Sequence, residues 1–368
     1  GIGTAPRFFA SSANGEVLAE DRWQDTADGP GHVSAFRYVW DWVERSVNQE
    51  RILAVGHRVT HGGPKFASPV VIDDAVIREL QNLVPLAPLH QPHNLAAIEA
   101  VVHRHPELAQ VASFDTAFHR DRLPVSDRFA LPHDYYDQGI RRYGFHGLSY
   151  ESIARSLRAI APAQAAGRVV VAHLGNGCSL CAMQDGQSLD TTMGFSALDG
   201  LPMGTRCGAL DPGVLIYLLR EQGLSPGELE ELLYTRSGLL GLSGISNDMR
   251  VLHGSDAPRA TEAIDYFVYQ IGKHLGALCS VLGGLDALVF TGGIGENDSV
   301  VRRRVCEDAA WLGLRLDEDA NSRGNLRISP PGDAPAVWVV PTDEELMIAQ
   351  HTLDVVTGRG GTEKPPSV

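Results

Sequence analysis

The sequence predicts an α/β protein built as two domains with a cleft between them. Apolar strand-like runs alternate with amphipathic helical stretches along the chain. That alternation restarts after Tyr143. Four glycine-rich turns follow or join apolar runs, as they do where α/β folds gather their ligands. At 368 residues the chain exceeds one compact core, and it suits two domains of roughly 100–200 residues each.

The pattern gives a helix over 33–47, a strand over 52–58, helices over 73–83 and 94–105, and a strand over 110–114. After the restart come a helix over 149–158 and strands over 169–174 and 179–183. A long helix over 258–282 opens on Pro258, a residue suited to the first helical position. A strand over 287–291, a helix over 297–310, a strand over 336–340 and a final helix over 343–355 complete the series. The opening from Gly1 carries no clear element and reads as the interior of a longer chain. The tail TGRGGTEKPPSV is expected to be a disordered end.

Hydrophobic residues make up 43% and charged residues 21% of the sequence, with 39 Gly and 21 Pro, a composition that suits a loop-rich enzyme. The formal charge of −14 argues against a nucleic-acid groove or an anionic membrane surface. Any anionic substrate must be held by local Arg and His against that field. No apolar run approaches the roughly 20 residues of a spanning helix. Five cysteines, an odd number, read as reduced thiols of a cytoplasmic protein. Cys178 and Cys181 form a CxxC without a second pair. On a strand, positions i and i+3 face opposite sides, which argues against a shared metal.

The glycine-rich turns are HLGNGCS (173–179), MGTRCG (203–208), SGISNDMR (243–250) and FTGGIGEN (290–297). Glycine there lets backbone N–H groups approach phosphate oxygens closely. FTGGIGEN reads as a strand, a double-glycine turn and a helix starting near Asn297, an anion site by its N-terminus. Its GGIG matches neither GxGxxG nor GxxxxGK[ST], so dinucleotide-fold and P-loop readings both fail. A second group sets Arg, Asp or His beside small residues at strand ends: GHRVTHGG (56–63), SFDTAFH (113–119), RRYGFHG (141–147) and Arg206. In PTDEEL (341–346), Thr342 and Glu345 have capping-box spacing. Glu344 is then left to reach a metal.

These segments, with APLHQPHN (87–94) and in this order, resemble the motif series of the acetate kinases over about residues 56–350. That family belongs to the superfamily of sugar kinases, heat-shock ATPases and actin. The resemblance implies two duplicated ribonuclease H-like domains flanking a nucleotide cleft. Residues 1–143, completed by the helix over 343–358, would form the N-terminal domain and 144–342 the nucleotide-binding domain, with a disordered tail over 359–368. It implies phosphoryl transfer from ATP to acetate, giving ADP and acetyl phosphate, with Mg²⁺ or Mn²⁺, in a cytoplasmic homodimer.

By motif position, Arg58 and Arg206 would grip the carboxylate and the transferring phosphoryl group. Asp115 would be the essential acid and His146 would stabilise the transition state. Thr60, Leu89, Phe145 and Ala197 would line the acyl pocket. His173, Gly175, Asn176, Gly177, Gly293, Ile294, Gly295 and Asn297 would hold ATP, with Asp248, Met249 and Arg250 around the adenosine. Glu344, or its neighbour Glu345, would hold the metal.

The resemblance also exposes departures. An Asn-x-Gly-Ser-Ser-Ser-x-Lys loop after a first strand does not occur in these residues and is expected to precede Gly1. Thr60 stands where the family pattern has Val, and Ala197, in MGFSALDG, where it has Pro. The enlarged pocket implies that propionate is accepted at least comparably to acetate. Cys178 and Cys207 stand where Ala and Ser are expected, which leaves thiol sensitivity open against an inert role. The alternatives are a propionate or butyrate kinase, or a catalytically impaired ATP-binding homologue.

Overall fold

The computed structural model describes residues 7–12, 14–22, 32–46, 52–332 and 335–359. In chain order the first elements are β1 (Arg7–Ser11), β2 (Val17–Arg22), α1 (His32–Ser46), β3 (Ala54–Val59), β4 (Val70–Val71), α2 (Asp74–Asn82), α3 (Gln91–Arg104) and β5 (Ala109–Phe114). Next come α4 (His133–Asp137), α5 (Gly147–Ile160), α6 (Pro162–Ala165), β6 (Arg168–Leu174), β7 (Cys178–Gln184) and β8 (Gln187–Thr191). Helices α7 (Pro212–Arg220), α8 (Pro226–Thr235), α9 (Gly238–Ser243), α10 (Met249–His253) and α11 (Pro258–Leu282) follow. The chain then forms β9 (Ala287–Thr291), α12 (Gly292–Asn297), α13 (Ser299–Asp308), α14 (Glu318–Arg323), β10 (Ala336–Val339) and α15 (Glu344–Val356). Two compact units result: Gly1–His61, Pro69–Ser113 and Ile348–Val368 form one, and Gly62–Ser68 with Phe114–Met347 the other.

In the first unit, β3, β5 and β4 form a sheet in the order β3-β5-β4. Asp73 starts α2 by accepting a hydrogen bond from the Val76 N–H at 2.8 Å, which satisfies one of the donors a helix start leaves open. The β1–β2 hairpin turns near Asn14-Gly15, a hairpin signal in the sequence, in the opening where no clear element was expected.

The second unit is built on a five-stranded mixed sheet ordered β10-β9-β6-β7-β8. Strands β10, β9 and β6 run parallel, and β6, β7 and β8 form an antiparallel meander. Every residue of β9 and β10 is buried, which explains their unbroken apolar runs. Two apolar cores lie on this sheet, one with Leu174, Leu180 and Phe290 packed under α11, the other with Val171, Met183 and Val289 under α5. Each fully buried Leu or Phe contributes about 1.5–3 kcal/mol. Cys178 belongs to the first core and Cys181 to the second, as strand alternation requires.

Two expectations are corrected. The double-glycine turn expected before the helix over 297–310 is itself helical: α12 spans Gly292–Asn297, and the expected helix is α13, which starts at Ser299 after a break at Asp298 (φ −103°, ψ 89°). The Asp298 carboxylate accepts from the Val300 and Val301 N–H groups, so the start of α13 is closed by the chain's own anion. Likewise Asp343, not Thr342, caps α15, its Oδ1 accepting from the Leu346 N–H at 2.8 Å. The cap is shifted by one residue: the carboxylate nearer the helix takes the Leu346 N–H, where the expected capping box had Thr342 on the Glu345 N–H. The tail from residue 360 onward, read as a disordered end, lies outside the described residues.

Candidate active site

His146 sits at the entrance to α5 in the left-handed region (φ 59°, ψ 24°), a conformation that costs a non-glycine residue on the order of 1–3 kcal/mol. The next residue shows how it is held. The Gly147 N–H donates to the Asp115 carbonyl at 2.8 Å, and a β-carbon on Gly147 would lie 2.3 Å from that oxygen. Only glycine permits this approach, which ties the buried Asp115 to the His146 backbone. From the other side, the His119 Nε2–H donates to the Phe145 carbonyl at 3.0 Å, with Ser188 Oγ at 2.8 Å on Nδ1. Burial holds the His119 pKa down to about 3, so the ring is neutral, consistent with one donor and one acceptor nitrogen.

The His146 ring lies 4.3 Å from that of His173, at 23°. Its Nδ1 meets Ser179 Oγ at 2.8 Å, while His173 Nδ1 meets Ser149 Oγ at 2.8 Å. Arg206 reaches the same place. Its Nη1 donates to the Ala197 carbonyl at 3.0 Å, and a β-carbon built on Gly177 would lie 3.1 Å from His146 Nε2 and 3.4 Å from Arg206 Nη2. Two nitrogens therefore converge over one glycine: Arg206 Nη2, a donor, and His146 Nε2, a donor in the tautomer whose Nδ1 accepts from Ser179. Burial lowers the Arg206 pKa from its ordinary value, but a guanidinium keeps its charge in proteins.

The loop that supplies Gly177 also borders a pocket of about 830 Å³, within the roughly 300–1,000 Å³ of small-molecule sites. Of the residues expected to hold ATP, Gly175, Asn176, Asp248, Met249, Arg250, Gly293, Ile294 and Asn297 line it. His173 and Gly177 stand instead in the cluster around His146. Gly295 is buried beneath the pocket, where an added β-carbon would meet the Ala172 carbonyl at an ordinary contact distance of 3.5 Å. Asp248 caps α10 and pairs with Arg250 at 2.6 Å. That hydrogen bond, more than its backbone partner, holds the Asp248 pKa down.

The Acetokinase family profile matches residues 5–350. The chain belongs to the acetokinase family. It is 54% identical over 361 residues to an acetate kinase of Rhodopseudomonas palustris strain TIE-1, covering 97% of this chain and 90% of that one. It is 52% identical to an acetate kinase of Methylocella silvestris, covering 96% and 87%. Among solved structures, the acetate kinase of Porphyromonas gingivalis matches with a TM-score of 0.84 at 38% identity, over 95% of this chain and 89% of that one. A propionate kinase of Francisella tularensis matches with a TM-score of 0.86 at 37% identity, over 91% and 87%. The two-domain α/β fold expected from the sequence is therefore the fold of this acetokinase-family chain.

The remaining expected residues of this acetokinase-family chain are placed as follows. Arg58, Thr60 and Leu89 lie in the first unit, Arg58 and Leu89 exposed there. The Thr60 N–H donates to Asn94 Oδ1 at 3.0 Å. Phe145 is buried, and Ala197 is half-buried against the first core of the second unit. Glu344 opens α15 on a segment fastened twice: the Thr342 N–H donates to Glu296 Oε1 at 3.3 Å and the Asp343 N–H to Ser152 Oγ at 3.0 Å.

Sequence reasoning missed Asn247, His253, Asp298, Ser299 and Val300, which also line the pocket. Asn247 lies within SGISNDMR and Asp298 adjoins FTGGIGEN, so both could have been found. His253 could not, because only its 2.9 Å contact with Asp298 brings it in.

Proposed function

We propose that this chain transfers the γ-phosphoryl group of ATP to acetate, reversibly, giving acetyl phosphate and ADP. The observation that carries the reading is the convergence of His146 Nε2 and Arg206 Nη2 over Gly177. Support comes from the names of its relatives and from the pocket reached through the same loop.

Acetate is already ionised at pH 7, so its oxygen attacks phosphorus without a general base. A P–O bond to the carboxylate forms as the β,γ-bridging P–O bond breaks, and ADP leaves with that oxygen. The need is to offset repulsion between anions and to stabilise charge on the in-flight oxygens. The reading assigns that task to Arg206 and His146, both in the second unit, and assigns Arg58 to the carboxylate as the further guanidinium. Asp115 then serves as a positioning acid, its backbone holding the turn into His146. The second unit is proposed as the nucleotide-binding domain, with the pocket between Asn247 and Ile294 taking the nucleoside.

Among the described residues no group of three or more His, Cys, Asp or Glu gathers as a metal cage. Mg²⁺ is commonly bound by one or two carboxylates together with substrate phosphates, which fits Glu344 on its fastened segment. When bound, the ion neutralises phosphate charge. Glu344 would hold it, with Glu345 the neighbouring choice.

Propionate is proposed as a second substrate, from Thr60 and Ala197. A homodimer is proposed from α7, where no residue is buried and Ile216 and Tyr217 are 51% and 55% exposed. Five free cysteines accord with a cytoplasmic setting, and no described helix is long and apolar enough to cross a membrane. Incubation with ATP, Mg²⁺ and acetate in hydroxylamine tests the activity. Acyl hydroxamate is expected, whereas ATP hydrolysis without it would mark a nucleotide-binding homologue instead.

A further inference from the structure

Arg302, on α13, is 2% exposed, yet among the described residues no carboxylate receives its guanidinium hydrogen bonds. They go to four neutral acceptors. Nη1 donates to the carbonyls of Gly295 (2.9 Å) and Glu296 (2.8 Å), Nε to Asn321 Oδ1 (2.8 Å) and Nη2 to the Asn321 carbonyl (2.9 Å). Asn321 Nδ2 in turn donates to the Ser299 carbonyl at 2.9 Å. The Gly295 and Glu296 carbonyls need this partner because α12 ends at Asn297 and leaves its last acceptors without helical donors. A cation at a helix C-terminus is also favourably placed. Only a planar fork of donors reaches all four acceptors at once, which a lysine ammonium cannot do.

The other end of the same turn is fastened by Glu296, whose Oε1 accepts from the Gly292 N–H (2.9 Å), Thr291 Oγ1 (3.3 Å) and the Thr342 N–H (3.3 Å). Six of the thirteen pocket residues fall between Gly293 and Val300, the stretch lying between these two fastenings and the Asn321 contact. Arg302 itself does not line the pocket.

We propose that Arg302, with Asn321, is a positioning residue for the nucleotide: it braces the turn from Gly292 to Val300 in its binding shape through backbone carbonyls, without touching the ligand. The proposal rests on the kinase reading for the identity of the ligand. A brace that serves stability alone would lower the melting temperature and leave the folded protein's affinity unchanged. A positioning role moves affinity for one substrate only.

The test uses the full chain with Arg302→Lys, Asn321→Ala and, as a destabilised control on the buried face of α11, Leu278→Ala. ADP affinity is measured by titration calorimetry, KM for ATP and for acetate by hydroxamate formation, and amide exchange over 292–300 without nucleotide. Misplacing binding groups by a fraction of an ångström warrants an expected loss of about ten- to hundredfold in ADP affinity for Arg302→Lys. Asn321→Ala should lose less, KM for acetate should stay within about twofold, and exchange over 292–300 should quicken in both. Leu278→Ala should lower the melting temperature alone. If Arg302→Lys does not fold, Asn321→Ala decides. Folded variants that bind ADP like the parent, with unchanged exchange, overturn the proposal. A parent that binds no ADP sinks the kinase reading instead, and exchange still decides whether the brace holds the turn.

Discussion

His146 Nδ1 lies 2.8 Å from Ser179 Oγ, and the same hydroxyl meets the buried phenol of Tyr150. Burial raises the Tyr150 pKa well above its ordinary value, so this phenol stays a donor across the working range. With Tyr150 as the donor to Ser179 and Ser179 as the donor to Nδ1, the imidazole proton is left on Nε2, the nitrogen beside Gly177; the reverse chain would put it on Nδ1. Second-partner control of a histidine tautomer is a general device. It predicts that Tyr150→Phe lowers kcat by about five- to tenfold, the worth of one hydrogen bond near 1 kcal/mol. Both KM values should hold. A fall in kcat/KM through KM alone would show that Tyr150 shapes binding rather than the His146 proton.

Arg206→Lys should cost about 10²–10³ in kcat, as loss of a single transition-state donor does elsewhere. Lysine keeps the charge and loses the fork that meets both the Ala197 carbonyl and the space over Gly177. Steady-state kinetics at saturating ATP and acetate checks this, and an unchanged kcat would remove Arg206 from the chemistry.

Propionate should be used with a kcat/KM at least comparable to that for acetate, because Thr60 and Ala197 leave room for a methylene whose exclusion even a tight apolar pocket enforces by only about 1–3 kcal/mol. Ala197→Pro should shift the ratio toward acetate. A preference for acetate above a hundredfold in the parent would sink the reading of Thr60 and Ala197.

Iodoacetamide at pH 7.5 should leave activity intact. The thiolate is the reactive form, and burial pushes Cys178 up to about 12 and Cys207 up to about 11. Cys178 also donates to the Gly175 carbonyl at 3.1 Å. Rapid loss of activity with one label per chain would contradict this.

Acid should weaken the fold early. Burial lowers the pKa of His119 to about 3 and of His61 to about 4, from 6.5. The unfolded chain therefore takes up protons first, so stability falls as pH drops below 6.5 and the loss is complete once these folded values are passed. Melting temperatures between pH 8 and 4 should follow that course. In His119→Gln the dependence should be shallower, with lower stability at pH 7.5. An unchanged slope would show that His119 titrates normally.

The elements that the sequence revealed best are those whose local pattern and burial agree. The predicted bounds of α11 match because Pro258 opens it, Gly283 closes it and an apolar face runs between them. Strand β9, buried along its length, was equally legible. Helices α7 to α10 and strand β8 were not. They are short, and α7 buries nothing within the chain, so no core-facing stripe marks it.

Residue chemistry and order were in the sequence: the glycine turns, the Arg and His beside them, and the series that marks the family. Which groups meet was decided only by the tertiary structure. Asp115 and Gly147, or Arg302 and Asn321, come together because sheet order and helix ends bring distant backbone atoms within hydrogen-bonding distance. The break at Asp298, and the carboxylates that close the helix starts after it and after Asp343, were settled in the same way. A side chain capping a nearby N–H competes with other donors and acceptors on nearly equal terms, and only packing around it selects the winner.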